Sequence, residues 1–97
     1  MTRGVISLYL QDAPLRLAEI EQAFSSHDAE ALYRATHALK GAAGNVGAVA
    51  IEALCAPLEE ASSNGVVPDD SAQLLAALRD CAAQTTQAFA QLIGQMT

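Results

Sequence analysis

The sequence is short of basic residues, aromatic residues and long apolar runs. Its 97 residues include five lysines and arginines against eleven aspartates and glutamates, and no tryptophan. A formal charge of −6 argues against nucleic-acid binding, which needs a basic face to neutralise phosphates. No apolar run approaches the ~20 residues of a membrane span, and the N-terminus lacks the charged-then-apolar pattern of a secretion signal. We therefore expect a cytoplasmic protein with no direct membrane contact.

Cysteine and histidine are also scarce. Cys55 and Cys81 are the only cysteines, and both fall on apolar positions of predicted helices, where a buried free thiol is common. Nothing points to an oxidising compartment, so we do not expect a disulfide. Two histidines far apart in sequence and the lack of a Cys-x-x-Cys spacing give no support to a zinc site. We expect no metal or cofactor in the chain itself.

The length predicts one domain, residues 1–97, with one modest core. Apolar residues make up 52% of the chain, and much of that fraction is alanine, which suits closely packed helices. Every substantial segment has helical periodicity, and none alternates as a strand would. The predicted fold class is all-α, an antiparallel up-down four-helix bundle.

The first helical region is predicted over residues 4–25, and Pro14 interrupts it. Asp12 is a good N-cap residue, so a short extra N-terminal helix is expected to meet a longer helix there. The next helix is predicted over 29–46, with Ser26 or Asp28 as its cap and Gly47 as a left-handed C-terminal residue.

The third helix is predicted to end at Asn64 and Gly65, with a kink at Pro57. Residues 66–69 link it to a fourth helix. The apolar stripes of these two helices are nearly heptad-like, as expected for neighbours in a bundle. The stripe residues are Ile51, Leu54, Cys55, Leu58 and Ala61, then Leu74, Leu78, Cys81, Thr85, Phe89 and Leu92.

The second helix has two unlike faces when it is drawn at ~100° per residue. One face is apolar: Leu32, Ala35, Leu39, Ala42 and Val46. The other holds Tyr33, Arg34, His37, Lys40, Gly41 and Gly44. His37 is therefore predicted to point into water, beside cations and beside residues that have no side chain.

The two glycines of this face cost a helix ~1 kcal/mol each relative to alanine, so helix propensity does not explain them. Gly41 lies one turn after His37 and opens a path for another protein to approach the imidazole, and Gly44 extends the same open face. Lys40 can reach oxygens attached to the ring, and Arg34 adds a second cation. Positive neighbours favour the neutral, nucleophilic imidazole. The pattern indicates a histidine that reacts with phosphate.

Residues 37–43, HALKGAA, followed by Gly47 and Ala48, resemble the signature of histidine phosphotransfer (HPt) domains of bacterial multistep phosphorelays. Residues 10–14, LQDAP, and 54–59, LCAPLE, also resemble the corresponding stretches of such domains. The resemblance implies a four-helix bundle whose surface histidine takes a phosphoryl group from the aspartyl phosphate of a receiver domain and passes it to another receiver. His37 matches the phosphorylated residue, Lys40 the phosphate-supporting lysine and Gly41 the residue that clears the approach.

The resemblance also implies that Mg²⁺ sits on the partner receiver, and that the domain can be part of a histidine kinase polypeptide. The chain has neither a glycine-rich phosphate loop nor the length of an ATP-binding fold, so we expect no ATP site. Ala42 and Ala43 depart from the family, whose members usually have serine at one or both positions. The abrupt start of the chain predicts a domain cut from a hybrid sensor kinase, located in the cytoplasm beside the inner membrane. A free-standing shuttle is the alternative.

Several residues of the exposed face are open to two interpretations. Tyr33 either helps dock a partner or packs over the bundle edge, and Arg34 either flanks the imidazole or pairs with Glu30. Leu8 and Leu15 fall opposite the core stripe of the first helix. They either form an apolar patch for a receiver or are covered by a segment ahead of the chain.

Two other functions compete with phosphotransfer. A helical adaptor would dock a receiver or kinase without transfer, but docking does not need an unobstructed imidazole. A hydrolase with His37 as general base would need an orienting carboxylate and a pocket, and neither Glu30 nor Glu52 has a suitable spacing. The sequence favours a monomeric phosphotransfer module whose partners are receiver domains.

Overall fold

The computed structural model describes residues 2–68 and 71–96. They form four helices, α1 (Thr2–Ser26), α2 (Ala29–Asn45), α3 (Val49–Ser63) and α4 (Ser71–Met96). α2 packs on α1 and α3, and α4 packs on the same two helices. In the described part of the chain α2 and α4 do not pack against each other. The predicted four-helix bundle is confirmed.

α1 is one continuous helix through Pro14, so the prediction of a short separate helix that meets a longer one at Asp12 was wrong. Ile6 and Ile20 are both buried in the core. Packing on both sides of the proline therefore outweighs the ~3 kcal/mol that a proline inside a helix costs. Asp12 lies within the helix and pairs with Arg16, with Oδ2 3.4 Å from Nε.

The turn between α1 and α2 is closed by backbone hydrogen bonds at His27 and Asp28. His27 has φ +52°, a left-handed conformation that residues other than glycine seldom adopt. Asp28 caps α2, since its Oδ1 accepts a hydrogen bond of 3.0 Å from the backbone N–H of Ala31. Ser26, the alternative cap, donates its hydroxyl back to the Gln22 carbonyl.

Glycines in the left-handed conformation follow α2 and α3. Gly47 has φ +73° and Gly65 has φ +80°, as the helix ends predicted from the sequence require. α3 runs through Pro57 without ending. Asp69, the last residue of the predicted link to α4, lies outside the described residues.

The core lies along one stripe of each helix. Tyr9, which the sequence stripe missed, is 2% exposed and packs edge-on against Phe89, with ring centroids 5.7 Å apart. Burial raises the pKa of the Tyr9 hydroxyl to about 12. Leu92, placed in the core by the sequence pattern, is 41% exposed. The buried apolar residues are Ile6, Tyr9, Ala13, Ile20, Ala23, Phe24, Leu32, Ala35, Leu39, Ala43, Ile51, Cys55, Leu58, Leu78 and Ala82.

Both cysteines are free, as predicted. Cys55 is fully buried, and burial raises the pKa of its thiol to about 12, so it acts as a small core side chain and not as a nucleophile. None of the described helices is both long enough and apolar enough to cross a bilayer.

Candidate functional site

His37 projects from the middle of α2 on the side opposite the buried stripe. Thr36 and Leu39 beside it are fully buried, whereas 69% of the His37 side chain is exposed. This confirms the prediction from helical periodicity that the imidazole faces solvent. Because α2 is anchored between α1 and α3, the ring stands on a fixed support.

Glu59 of α3 forms a hydrogen bond with the Nδ1 side of this ring. Its Oε2 lies 2.7 Å from His37 Nδ1, and its Oε1 accepts a hydrogen bond of 3.1 Å from Lys40 Nζ. The Glu59 side chain is only 17% exposed, because Cys55 and Leu58 anchor that part of α3 in the core. One carboxylate therefore ties together the histidine and the lysine of the sequence motif.

Glu59 is ionised at neutral pH. Partial burial by itself would raise its pKa, but hydrogen bonds from His37 and Lys40 outweigh burial and leave the pKa below its ordinary value. An ionised carboxylate can only accept hydrogen bonds, so His37 Nδ1 is the donor. In the neutral ring the lone pair is then on Nε2, the nitrogen that Glu59 does not engage.

Sequence reasoning missed Glu59. Glu30 and Glu52 were the carboxylates weighed for orienting the imidazole, and it is Glu59 that contacts Nδ1. Glu59 is 22 residues from His37, so no local spacing on α2 could reveal it. The available signal was its place beside Leu58 at the end of the apolar stripe of α3, where a side chain can reach the neighbouring helix.

Both cations predicted to flank the imidazole are engaged by carboxylates. Arg34 Nη1 lies 2.8 Å from Glu30 Oε1 on an exposed part of α2, and Lys40 is bound to Glu59. Each cation near the imidazole therefore brings its own counter-charge. Of the two interpretations of Arg34, the structure has the pair with Glu30.

Tyr33 is 36% exposed and its ring stacks on the imidazole, with centroids 5.8 Å apart and planes 17° apart. The exposed ring therefore lies beside His37, and its role in docking a partner stays a prediction. The stack also limits how His37 can rotate.

The glycines differ in what surrounds them. An ideal Cβ added to Gly41 would meet no atom within 4 Å, so the fold itself does not require glycine there. At Gly44 the same added atom would lie 3.3 Å from Glu52 Oε2, so a side chain of α3 already covers Gly44. The surface beside the imidazole is therefore open at Gly41, whereas the carboxylate of Glu52 limits the space at Gly44.

Two open grooves flank the His37–Gly41 ridge. The first, here called the α1 groove, has a volume of about 950 Å³, and Leu8 and Leu15 lie on its α1 side. Both leucines are more than 60% exposed, at 68% and 62%. The second, the α3 groove, has about 220 Å³ and is lined by His37, Lys40, Gly41, Gly44, Asn45 and Glu52.

Comparison with known proteins identifies the family of this chain. The Hpt domain family model matches residues 4–92. Among solved structures, the chain is similar to histidine-containing phosphotransfer protein B from Pseudomonas aeruginosa PAO1, with 26% identity and a TM-score of 0.88 over 96% of this chain and 80% of that one. Among curated proteins no match is found. Hpt domains exchange phosphate with receiver-domain partners. The chain belongs to the Hpt domain family, and its role is histidine phosphotransfer in phosphorelay signalling.

Proposed function

We propose that His37 is the residue of this domain that carries the phosphoryl group, and that Nε2 is the atom that bonds to phosphorus. The observation that supports this most directly is the hydrogen bond of 2.7 Å between Nδ1 and Glu59. It assigns the proton to Nδ1 and leaves the Nε2 lone pair on an imidazole that is 69% exposed.

The transfer exchanges one bond to phosphorus for another. The Nε2 lone pair attacks the phosphorus of a receiver's aspartyl phosphate, the P–O bond to the aspartate breaks, and its electron pair stays on the aspartate carboxylate. The ring gains positive charge as the N–P bond forms. Glu59 stabilises that charge through Nδ1–H, because a negative acceptor holds the donor more strongly as the donor becomes cationic. Attack by a second receiver's aspartate reverses these steps.

Lys40 is proposed to support the phosphoryl oxygens. Its side chain is 40% exposed and its ammonium group is held by Glu59, one helical turn from His37. A flexible lysine stem lets Nζ turn from the carboxylate towards a phosphoryl group on the same face. Lys40→Ala is expected to slow transfer without preventing receiver binding, and an unchanged transfer rate would remove Lys40 from the site.

The partners are proposed to be receiver domains that dock across the α1 groove, with Leu8 and Leu15 in the contact and Gly41 leaving room above the ring. The Mg²⁺ that receiver chemistry uses belongs to the receiver, and this domain contributes the nucleophile. Tyr33 stacks on the imidazole and Gly44 lines the α3 groove, and both are proposed, with the exposed Arg34, to contact the same receiver. The domain is proposed to act as a cytoplasmic monomer.

The direct test is phosphotransfer from a radiolabelled phospho-receiver with Mg²⁺. Wild type should acquire label that is labile to acid and stable to base, as an N–P bond is. His37→Gln should acquire none. The matched control is His27→Asn, which removes the other imidazole at an exposed turn and supplies a residue that tolerates the left-handed backbone. Label retained by His37→Gln, or lost from His27→Asn, would overturn the assignment.

A further inference from the structure

The α3 groove contains a carboxylate, that of Glu52, for which the described residues supply no partner. Glu52 Oε2 lies over Gly44, in the groove that also includes His37 and Lys40. The Glu52 side chain is half-buried and makes no hydrogen bond or ion pair with any described residue. Glu59, in contrast, lies on the same face of α3 and engages two donors.

The chain has no spare cation for Glu52 among its described side chains. Arg16 pairs with Asp12 and Glu19. The other described basic side chains are likewise bound to carboxylates: Arg34 to Glu30, Lys40 to Glu59 and Arg79 to Glu21. Since Lys40 already balances Glu59, the α3 side of the His37–Gly41 ridge has a net negative charge.

A protein that reaches His37 must cover this charge. The reactive ring and the open backbone at Gly41 line the same groove as Glu52, so a close approach over the ring excludes water from the carboxylate as well. Removing water from an unpaired carboxylate is costly unless a donor replaces it. A cationic side chain meets this requirement best, and it also separates Glu52 from the incoming phosphoryl group.

We propose that Glu52 is a specificity-determining contact that pairs with a lysine or arginine side chain of the docked receiver. The proposal rests on the proposed function of His37. The α1 groove presents the exposed Leu8 and Leu15 beside an Asp12–Arg16 ion pair, and the α3 groove on the other side of the ridge presents the unpaired carboxylate of Glu52. A receiver that places apolar residues in the α1 groove and a cation in the α3 groove docks in one orientation only. Receivers with an acidic residue at the second position are disfavoured.

The test uses the receiver domain that labels the wild-type chain, and it compares Glu52→Gln and Glu52→Lys with matched changes at Asp80. Asp80 is exposed on α4, and α4 does not pack on α2 in the described residues. The rate of transfer is measured at low and high salt. Each variant is also phosphorylated with phosphoramidate, a small donor that needs no docking, and its folding is checked by thermal melting.

Glu52→Gln should lower the rate of transfer from the receiver about fivefold, which corresponds to the upper range for a solvent-accessible ion pair. Glu52→Lys should lose more, about twentyfold or above, because two cations then face each other. The loss of transfer rate in both Glu52 variants, relative to wild type, should become smaller at high salt. Asp80→Asn and Asp80→Lys should transfer at the wild-type rate. All variants should take phosphate from phosphoramidate as wild type does.

Three results would overturn the proposal. Wild-type transfer by Glu52→Lys would show that no cation of the receiver meets it, and equal losses at Glu52 and Asp80 would show a long-range effect of net charge. Loss of phosphoramidate labelling in Glu52→Lys would mean that Glu52 acts on the imidazole and not on the partner. Failure of the proposed function itself is distinguishable, because wild type would then acquire no label on His37 from either donor.

Discussion

α2 and α4 are both long amphipathic helices, yet they are held very differently. Five residues of the 17-residue α2 are buried: Leu32, Ala35, Thr36, Leu39 and Ala43. Among the described side chains of the 26-residue α4 only Leu78 and Ala82 are buried. The helix that presents His37 lies between two neighbours that anchor it, and α4 covers the other side of those neighbours. The site depends on how firmly α2 and α3 are joined, and α4 contributes to it only through α1 and α3.

The largest expected effect is on stability. Leu39→Ala removes a fully buried side chain of α2 and should lower the free energy of unfolding by about 3 kcal/mol, through lost burial and the cavity left behind. Leu92→Ala in α4 removes a side chain that is 41% exposed and should cost under about 1 kcal/mol. Urea denaturation checks both variants, and similar losses would contradict the contrast between the two helices.

Next in size is a loss of function without a loss of fold. Gly41→Leu places a side chain in open space beside the imidazole and should slow transfer from a receiver by about a hundredfold, equivalent to ~2.7 kcal/mol. The matched control is Gly94→Leu in α4, where an added Cβ also meets nothing within 4 Å. The control should transfer normally. Both variants should melt at or above the wild-type temperature, since leucine is the better helix former. Normal transfer by Gly41→Leu would refute the argument from access.

A smaller effect is expected at the carboxylate that joins α3 to α2. Glu59→Gln should slow transfer about tenfold, equivalent to ~1.4 kcal/mol, because an amide does not stabilise positive charge on the ring. The rate is measured with the same labelled receiver. An unchanged rate would mean that Glu59 only positions the imidazole, a role that the glutamine oxygen can fill.

The same variant should change how stability depends on pH. The folded-state pKa of Glu59 lies below its ordinary value, so its contribution is complete above the unfolded-state pKa of about 4.3 and is lost as pH falls through the folded-state pKa. At pH 7 the free energy of unfolding of wild type should exceed that of Glu59→Gln by about 1 kcal/mol, and this difference should shrink at acid pH as Glu59 becomes protonated in the folded state. Urea denaturation at both pH values measures it, and a constant difference would contradict the linkage.

The smallest effect is expected outside both helices. His27 occupies a left-handed turn at φ +52°, so His27→Gly should raise the free energy of unfolding by roughly 0.5 kcal/mol, because glycine adopts this conformation without steric cost. Transfer should not change. A lower melting temperature would mean that the His27 side chain stabilises the turn in a way that its backbone geometry does not indicate.

Much of the fold was predictable because it follows from local patterns. Helical spacing of apolar residues located all four helices, and Asp28 and Gly47 marked two helix ends correctly. The errors arose where packing overrides local preference. Pro14 should interrupt a helix, but the buried residues on both sides of it hold α1 together. Tyr9 was missed although it lies three residues after Ile6 and four before Ala13, on the same helical stripe. The structure shows what its ring packs against, Phe89 of α4.

The sequence by itself determined that His37 faces solvent and that Gly41 leaves it accessible, since both follow from the angular spacing of residues on one helix. It also determined the resemblance to the Hpt family. Only the tertiary structure decided which nitrogen of the ring a carboxylate engages. Glu59 reaches Nδ1 from another helix, and Glu52 borders the same site from that helix. Such contacts depend on the crossing of α2 and α3, and the periodicity of either helix alone contains no information about that crossing.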